Sequence, residues 1–254
     1  MNTGSSKTRI LCIFCNERGP RAREDIIPKW YANEFGGTPP FLADHWTYEQ
    51  GNLIRRRPTR TMGSLAALKL PDICETCNCG WMSGLEDHTK DILLPLMQGS
   101  NRVLNFAAQR QISTWVQLKA LTLDAWYRKD RRLPASLAHD FYGRLQPLPY
   151  GPVSLGNYES FPIGVGVPYG RRYVTPTTGL SLPVKLLRCS LAFKHLFVQS
   201  TFGWVEDTKQ PSPPPTLPPV QFLIHVWPPD LRQNGNVLWP PPSMISRDHF
   251  ERLS

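Results

Sequence analysis

The chain has 254 residues, of which 41% are hydrophobic and 19% charged, and its formal net charge at pH 7 is +9. This balance is typical of a folded globular protein and excludes an intrinsically disordered chain. No apolar stretch approaches the roughly 18 residues of a membrane-spanning helix, and the first residues lack the apolar core of a secretory signal. We therefore expect a cytoplasmic protein that has no membrane partner.

The first hundred residues predict short elements. A short strand is expected at 24–28, and a helix is expected at 30–35, where two glycines follow it. Residues 45–57 have the pattern of a hairpin with a Gly-Asn turn. Apolar residues at spacings of three and four predict a further helix over 82–96.

The remainder of the chain predicts one long helix and then short strands. Residues 107–130 carry an apolar stripe at helical spacing, with a cluster of basic residues at the C-terminal end. The stretch PSPPPTLPP at 211–219 predicts an extended connection, and 246–253 a terminal helix. The predicted strands cover residues 152–158, 161–167, 184–192, 193–203 and 220–227.

Four of the six cysteines form two C-x2-C pairs, and these are Cys12, Cys15, Cys74 and Cys77. Two such pairs supply the four thiolates of a closed tetrahedral zinc site, so we predict a structural Zn²⁺. Cys79 does not keep the C-x2-C spacing and is left out of the site. Cys189 lies in an apolar, strand-like run and is predicted to be part of the core.

The residues around the two cysteine pairs resemble a known family. The segments CIFC, REDIIPKW and ICETCN, the last followed by GWMSGLED, are similar to the HNH, or ββα-metal, endonucleases. The resemblance is to a bacterial and phage branch that runs roughly C-x2-C, EHIIPKW and C-x2-CN-x-GWM-x-x-LE. The segment QRQISTWVQLKALTLDAW resembles the helix that follows in that branch, so the resemblance covers about the first 130 residues.

The resemblance implies a catalytic site beside the zinc. Glu24 would bind a catalytic divalent ion at the end of the first strand, position 25 would act as general base, and Asn78 would be the second metal ligand. Carboxylate and amide oxygens suit Mg²⁺ or Mn²⁺. The bound ion would polarise a phosphate while the base activates water.

Position 25 departs from the family, because it is Asp where the family has His. Aspartate is a weaker base than histidine at neutral pH. Three interpretations remain open. Asp25 is itself the base; Asp25 is a third metal ligand while His45 or His88 moves the proton; or the site is inactive.

A second departure concerns the middle Asn of the family. It is expected about nine residues before Asn78, where this chain has Lys69. Asn52 could replace it only through a longer loop. The pair Glu86–Asp87 lies two turns beyond Asn78, and it is either a solvated or ion-paired helix face or support for the metal site.

Basic residues provide the predicted contact with nucleic acid. The densest group lies near the predicted hairpin and consists of Arg55, Arg56, Arg57 and Arg60. Guanidinium groups bind phosphate oxygens well, so this group predicts contacts with a nucleic-acid backbone, and the alternative is a solvated loop. Double-stranded DNA is the expected partner, and a homodimer is possible.

We therefore predict an α+β protein. Residues 1–100 would form a zinc-stapled, HNH-like ββα-metal module, and residues 101–254 a companion region of a long helix and a small Pro-rich β part packed on the first. The favoured function is metal-dependent hydrolysis of phosphodiester bonds. The alternative is a degenerate HNH-like module that binds nucleic acid or a protein without cleavage. A third possibility is a small structural zinc protein in which the companion region performs recognition.

Overall fold

The computed structural model describes most of the chain. The described residues are 8–22, 24–25, 27–36, 40–49, 52–64, 69–70, 72–126, 133–166, 169–174, 182–205, 208–212, 222–229 and 235–246. Within these ranges, no helix combines the length and the apolar character that crossing a lipid bilayer requires.

The helices are short in the first half of the chain and longer after the second cysteine pair. They cover Lys29–Phe35 (α1), Glu75–Cys77 (α2), Ser83–Met97 (α3), Phe106–Trp126 (α4) and Ala135–Arg144 (α5). A π-helical segment, Asn78–Met82, joins α2 to α3. Gly36 ends α1 in the left-handed conformation, with φ 76°, as the glycine pair in the sequence predicted.

The strands range from two residues to twenty-four. The first seven are Arg9–Leu11 (β1), Arg18–Pro20 (β2), Glu24–Asp25 (β3), Pro40–Glu49 (β4), Asn52–Ser64 (β5), Lys69–Leu70 (β6) and Arg102–Leu104 (β7). The others are Val153–Gly166 (β8), Tyr169–Val174 (β9), Leu182–Val205 (β10), Pro211–Ser212 (β11), Ile224–Trp227 (β12), Val237–Trp239 (β13) and Met244–Ile245 (β14).

One large sheet joins both halves of the sequence. Its order is β12-β8-β10-β9-β4-β5, with β11 on β10 and β14 on β8. The β4–β5 hairpin belongs to the first hundred residues, yet Thr47 of β4 pairs with Tyr169 of β9. The hairpin between the two cysteine pairs therefore extends a sheet that is built mainly from the second half of the chain.

Helix α4 forms the centre of the core. Every residue from 112 to 125 is buried, and the helix contacts α3, β6, β7, β8, β10 and β12. Gln117 is wholly buried, but its side chain donates to the Leu148 carbonyl at 3.1 Å and accepts from the Leu148 N–H at 2.7 Å. Such pairing allows polar residues inside a helix that is enclosed on all sides.

The second half has fewer and longer strands than the sequence predicted. β8 joins the predicted strands at 152–158 and 161–167, and β10 joins those at 184–192 and 193–203. The register of β10 against β8 shifts at Phe193 and Lys194, and Lys194 has φ 54°. The predicted break is thus a bulge within one strand. Within the predicted connection at 211–219, the described residues 211–212 form β11, which pairs with β10. The helix predicted at 246–253 lies, apart from residue 246, outside the described residues.

These elements confirm a protein with mixed helices and sheets. The long predicted helix corresponds to α4. The predicted hairpin is also present and is longer than expected, since β4 and β5 pair from Pro40↔Ser64 to Glu49↔Asn52. The first predicted strand is shorter, because the described strand β3 contains only Glu24 and Asp25.

Candidate metal centre and adjoining carboxylates

The four cysteines of the two C-x2-C pairs form one cluster. The sulfur atoms of Cys12, Cys15, Cys74 and Cys77 all lie within 4.8 Å of one another. The Cys15 and Cys74 sulfurs are 3.7 Å apart. A tetrahedron with zinc–sulfur bonds of about 2.3 Å has an edge of about 3.8 Å, so the spacing fits Zn²⁺. The cluster can hold one metal ion such as zinc, as the spacing in the sequence predicted.

Backbone hydrogen bonds shape each cysteine pair. In the first pair, the N–H of Asn16 donates to the Cys12 carbonyl at 3.0 Å, and Asn16 takes a left-handed φ of 58° that asparagine tolerates well. In the second pair, Cys74 is the N-cap of α2, and the Cys77 N–H lies 3.5 Å from the Cys74 sulfur. Each turn therefore directs its two thiols to the same side.

Further backbone contacts hold the two pairs together. The N–H of Ile13 donates to the Asp72 carbonyl at 3.1 Å, and that of Ala22 donates to the Ile73 carbonyl at 2.8 Å. At Gly19 a Cβ atom would lie only 3.0 Å from the Cβ of Cys74. A glycine is needed there because β2 approaches the second pair so closely.

Burial controls the protonation of the free thiols. It raises the pKa of Cys15 to about 11, and the charge of Cys12 adds to the rise. It also raises the pKa of Cys77, against the opposing effect of the Trp81 indole. For Cys12, burial acts in the same direction, but hydrogen bonds, first of all from the Cys74 backbone, lower the pKa overall. Without a metal, the thiolate of Cys12 is thus favoured over those of Cys15 and Cys77.

The companion region packs directly on the cluster. Phe14, between the first two cysteines, is fully buried, and its ring meets Trp81 edge-on at 5.2 Å and Phe141 of α5 at 6.4 Å. His139 of α5 bonds to the Phe14 carbonyl through Nδ1 at 3.0 Å. Trp81 is partly buried and packs against the core, and its ring also contacts Phe141 and Tyr142.

The two remaining cysteines behave as the sequence predicted. Cys79 is exposed and is not part of the metal-binding cluster. Cys189 is buried in β10, with 1% of its surface exposed. Burial raises the pKa of the Cys189 thiol, so it is an unreactive core residue.

The proposed catalytic strand is the short strand β3. Glu24 pairs with Leu70 and Asp25 with Lys69 in an antiparallel ladder with β6. Lys69, at the position where the resemblance implies an Asn, is therefore the residue directly opposite Asp25. Asp25 is half-buried, and the side chain of Glu24 lies outside the described part of the structure.

Asn78 starts the π-helical segment directly after the second cysteine pair. Its backbone N–H donates to the Cys74 carbonyl at 3.0 Å. Its side-chain oxygen Oδ1 is buried and has no hydrogen-bond partner among the described residues. A buried acceptor of this kind is able to accept a bond from a water molecule or to coordinate an ion. Gly80, with φ −94° and ψ −111°, breaks the helical geometry of the segment, and such segments are frequent at functional sites.

A buried ion pair lies beside Asp25. Lys119 of α4 is 0% exposed and pairs with the carboxylate of Glu86 on α3. Its ammonium also donates to the backbone carbonyl of Asp25 at 3.3 Å. Lys119 falls within the apolar stripe predicted over 107–130, and the stripe assigns it no functional role. The only signal was a lysine at a position that the stripe assigns to the core.

The structure describes the side chain of only one of the predicted histidines and arginines, which is His88. His88 is exposed on α3, and its Nδ1 bonds to the Gly84 carbonyl at 2.6 Å. His45 is the register partner of Arg57 in the β4–β5 hairpin, and its side chain is outside the described part. The same holds for the side chains of the other arginines of that hairpin, which are Arg55, Arg56 and Arg60.

Comparisons with known proteins give no match to a family model, to a curated protein or to a solved structure.

Proposed function

We propose that the protein is an HNH-like, metal-dependent endonuclease that hydrolyses phosphodiester bonds of nucleic acid, with double-stranded DNA the expected substrate. The observation that carries the proposal is the order of elements around the cysteine cluster. β3 pairs antiparallel with β6, and α1, β4 and β5 lie between these two strands in the chain. β6 is followed by the second cysteine pair and a helix, so two paired strands and a helix adjoin the cluster, as a ββα-metal site would require.

The cysteine cluster supports the proposal because it fixes the strand relative to the helix. The isolated bridge between Arg21 and Cys74 continues the pairing of β3 with β6 up to the metal centre. Asn78 follows Cys77 immediately. A zinc ion in the cluster would therefore hold Glu24 and Asp25 in a fixed relation to Asn78.

The oxygen donors fit a hard divalent ion. The Oδ1 of Asn78, which has no hydrogen-bond partner in the described part of the chain, would be a neutral oxygen ligand, and Glu24 and Asp25 would add carboxylates. Mg²⁺ or Mn²⁺ bound there would polarise the scissile phosphate and stabilise the leaving oxygen. Asp25 would serve as third ligand or as the base that accepts the proton of the attacking water.

The β4–β5 hairpin is the proposed contact with the nucleic-acid backbone. Arg55, Arg56, Arg57 and Arg60 all lie on β5. If all four contact phosphates, replacing them by Gln should reduce the slope of log affinity against log salt by roughly 4 on duplex DNA. A slope that does not change would remove the hairpin from the interface.

Cleavage of duplex DNA with Mg²⁺ or Mn²⁺ tests the proposal. Glu24→Ala and Asn78→Ala should each abolish cleavage while the zinc content stays at about one per chain. Glu159→Ala and Asn101→Ala are matched controls, because both residues are exposed and lie outside the proposed site. No cleavage of any DNA or RNA by the wild-type protein would refute the nuclease.

The degenerate binding module is the second candidate, and the residue opposite Asp25 favours it. The register partner of Asp25 is Lys69, a cationic residue at the position where the resemblance implies an Asn. A positively charged residue at that position opposes the binding of a divalent cation. Under this reading the wild-type protein binds DNA equally well with EDTA and does not cut. The variant Asp25→His separates the readings, since a gain of cleavage shows that position 25 limits the chemistry.

A further inference from the structure

Lys119 has an environment that is unusual for a lysine. Its side chain is 0% exposed, in the middle of a helix that is buried from 112 to 125. Its ammonium pairs with the Glu86 carboxylate and donates to the Asp25 carbonyl. Lysine is almost never fully buried without such partners.

Stability alone does not explain this ion pair. Removing two charges from water costs more free energy than many buried pairs recover, and apolar replacements of both partners are often neutral or stabilising. The neighbouring positions on α4, Val116 and Leu118, are buried and apolar. A methionine at position 119 would thus suit the same core.

The ammonium lies where the elements of the proposed site converge. The Asp25 carbonyl belongs to the last residue of β3, and Glu86 lies on α3, eight residues after Asn78. The cysteine cluster joins the chain before β3 to the start of the helix through Cys12 and Cys74. Lys119 joins the end of β3 to α3, at a point farther along the helical segment than the cysteines.

Resting on the proposed function, we propose that Lys119 and Glu86 form a positioning pair for the divalent-ion site. The zinc cluster and this pair attach the strand to the helix at two separate points. The carboxylates of β3 and the Asn78 amide then have a fixed separation in which to bind Mg²⁺ or Mn²⁺. Groups that orient metal ligands in this way typically affect metal affinity or activity by about 10- to 100-fold.

The opposite charges of Lys119 and Glu86 also predict an order of Mn²⁺ affinities among variants. Glu86 neutralises the ammonium, so the wild-type pair adds no net charge beside the divalent ion. Glu86→Gln leaves the positive charge of Lys119 uncompensated, and it should weaken Mn²⁺ binding more than the double variant Lys119→Met/Glu86→Gln does. A purely steric role for the two side chains predicts no such order.

The experiment uses the full, zinc-loaded chain and measures Mn²⁺ affinity by electron paramagnetic resonance, together with Tm and cleavage rate. The control is Lys90→Met/Glu34→Gln, which removes an ion pair of 2.7 Å between α3 and α1 that is about one-third exposed. We expect the Lys119/Glu86 double variant to keep a Tm near that of the wild type and to bind Mn²⁺ about 10- to 100-fold more weakly. The control should bind Mn²⁺ as the wild type does.

Wild-type Mn²⁺ affinity in a well-folded double variant would overturn the inference. If the double variant does not fold, Lys119→Arg decides: it keeps the charge but moves the donors, and unchanged Mn²⁺ affinity in this variant is equally contrary. Wild-type protein that binds Mn²⁺ without cutting ends the nuclease proposal, and the inference is then decided by the affinities alone. Wild-type protein that does not bind Mn²⁺ ends both.

Discussion

Replacing Cys15 should show how strongly the zinc staples the chain. Cys15 is the half-buried member of the cluster, and its metal partner Cys74 is 59 residues away. In the chain-entropy treatment, a cross-link that closes a loop of about 60 residues lowers the free energy of the folded state by about 4 kcal/mol relative to the unfolded chain. For a chain of this size, each kcal/mol corresponds to about 2–4 °C in Tm. Cys15→Ser, dialysed against EDTA, should therefore melt about 8–16 °C below the zinc-loaded wild type.

Differential scanning calorimetry and metal analysis measure both parts of this prediction. Cys79→Ser is the matched control, because Cys79 is exposed two residues after Cys77 and is not in the cluster. It should retain about one zinc per chain and the wild-type Tm. If Cys15→Ser keeps its zinc and its Tm, or if Cys79→Ser loses the metal, the assignment of the four ligands is wrong.

Three further predictions follow from contacts in and near the core. In urea unfolding, Gly19→Ala should destabilise the zinc-loaded protein by about 1–3 kcal/mol, because the added Cβ lies only 3.0 Å from the Cβ of Cys74. Gly143→Ala on α5, where nothing lies within 4 Å of the added Cβ, should instead stabilise it by about 0.5–1 kcal/mol. Gln117→Leu leaves the Leu148 N–H unpaired, at about 1–3 kcal/mol, while the Leu148 carbonyl keeps its bonds from the Gly151 N–H and the Trp227 indole; an unchanged urea midpoint would contradict the assigned bond. Because burial raises the pKa of Cys15 to about 11, that thiol is protonated at neutral pH in the metal-free protein, so zinc binding should release protons and weaken as the pH falls. Calorimetry in buffers of different ionisation enthalpy measures this release, and a zinc affinity independent of pH would contradict it.

The cysteine cluster was predictable because it is encoded locally. Two C-x2-C turns each bring two thiols together, and only the association of the turns depends on the fold. The same holds for α1, which Gly36 ends, and for the β4–β5 hairpin, in which Glu49 pairs with Asn52. In each case a few adjacent residues determine the geometry.

What the sequence did not reveal depends on contacts between distant segments. In the sequence, Lys119 is only a charged residue within an apolar stripe. Its partners Glu86 and Asp25 are 33 and 94 residues away, so local spacing does not indicate the ion pair. The enclosure of α4 on all sides was also hidden, since polar residues such as Gln117 find partners only after folding. The joining of predicted strands into β8 and β10 has the same origin, because cross-strand pairing overrides local breaks.

The pairing of Thr47 with Tyr169 has a consequence for the order in which a growing chain can fold. The four cysteines of the cluster are all synthesised by residue 77, so a nascent chain that binds a metal such as zinc can acquire it early. The hairpin between them must then wait for more than ninety further residues before its neighbouring strand β9 exists, and α4 is also made after the ligands. An emerging chain would thus hold zinc while the edge of that hairpin is still uncovered, and this interval is when it most needs protection from pairing with other chains.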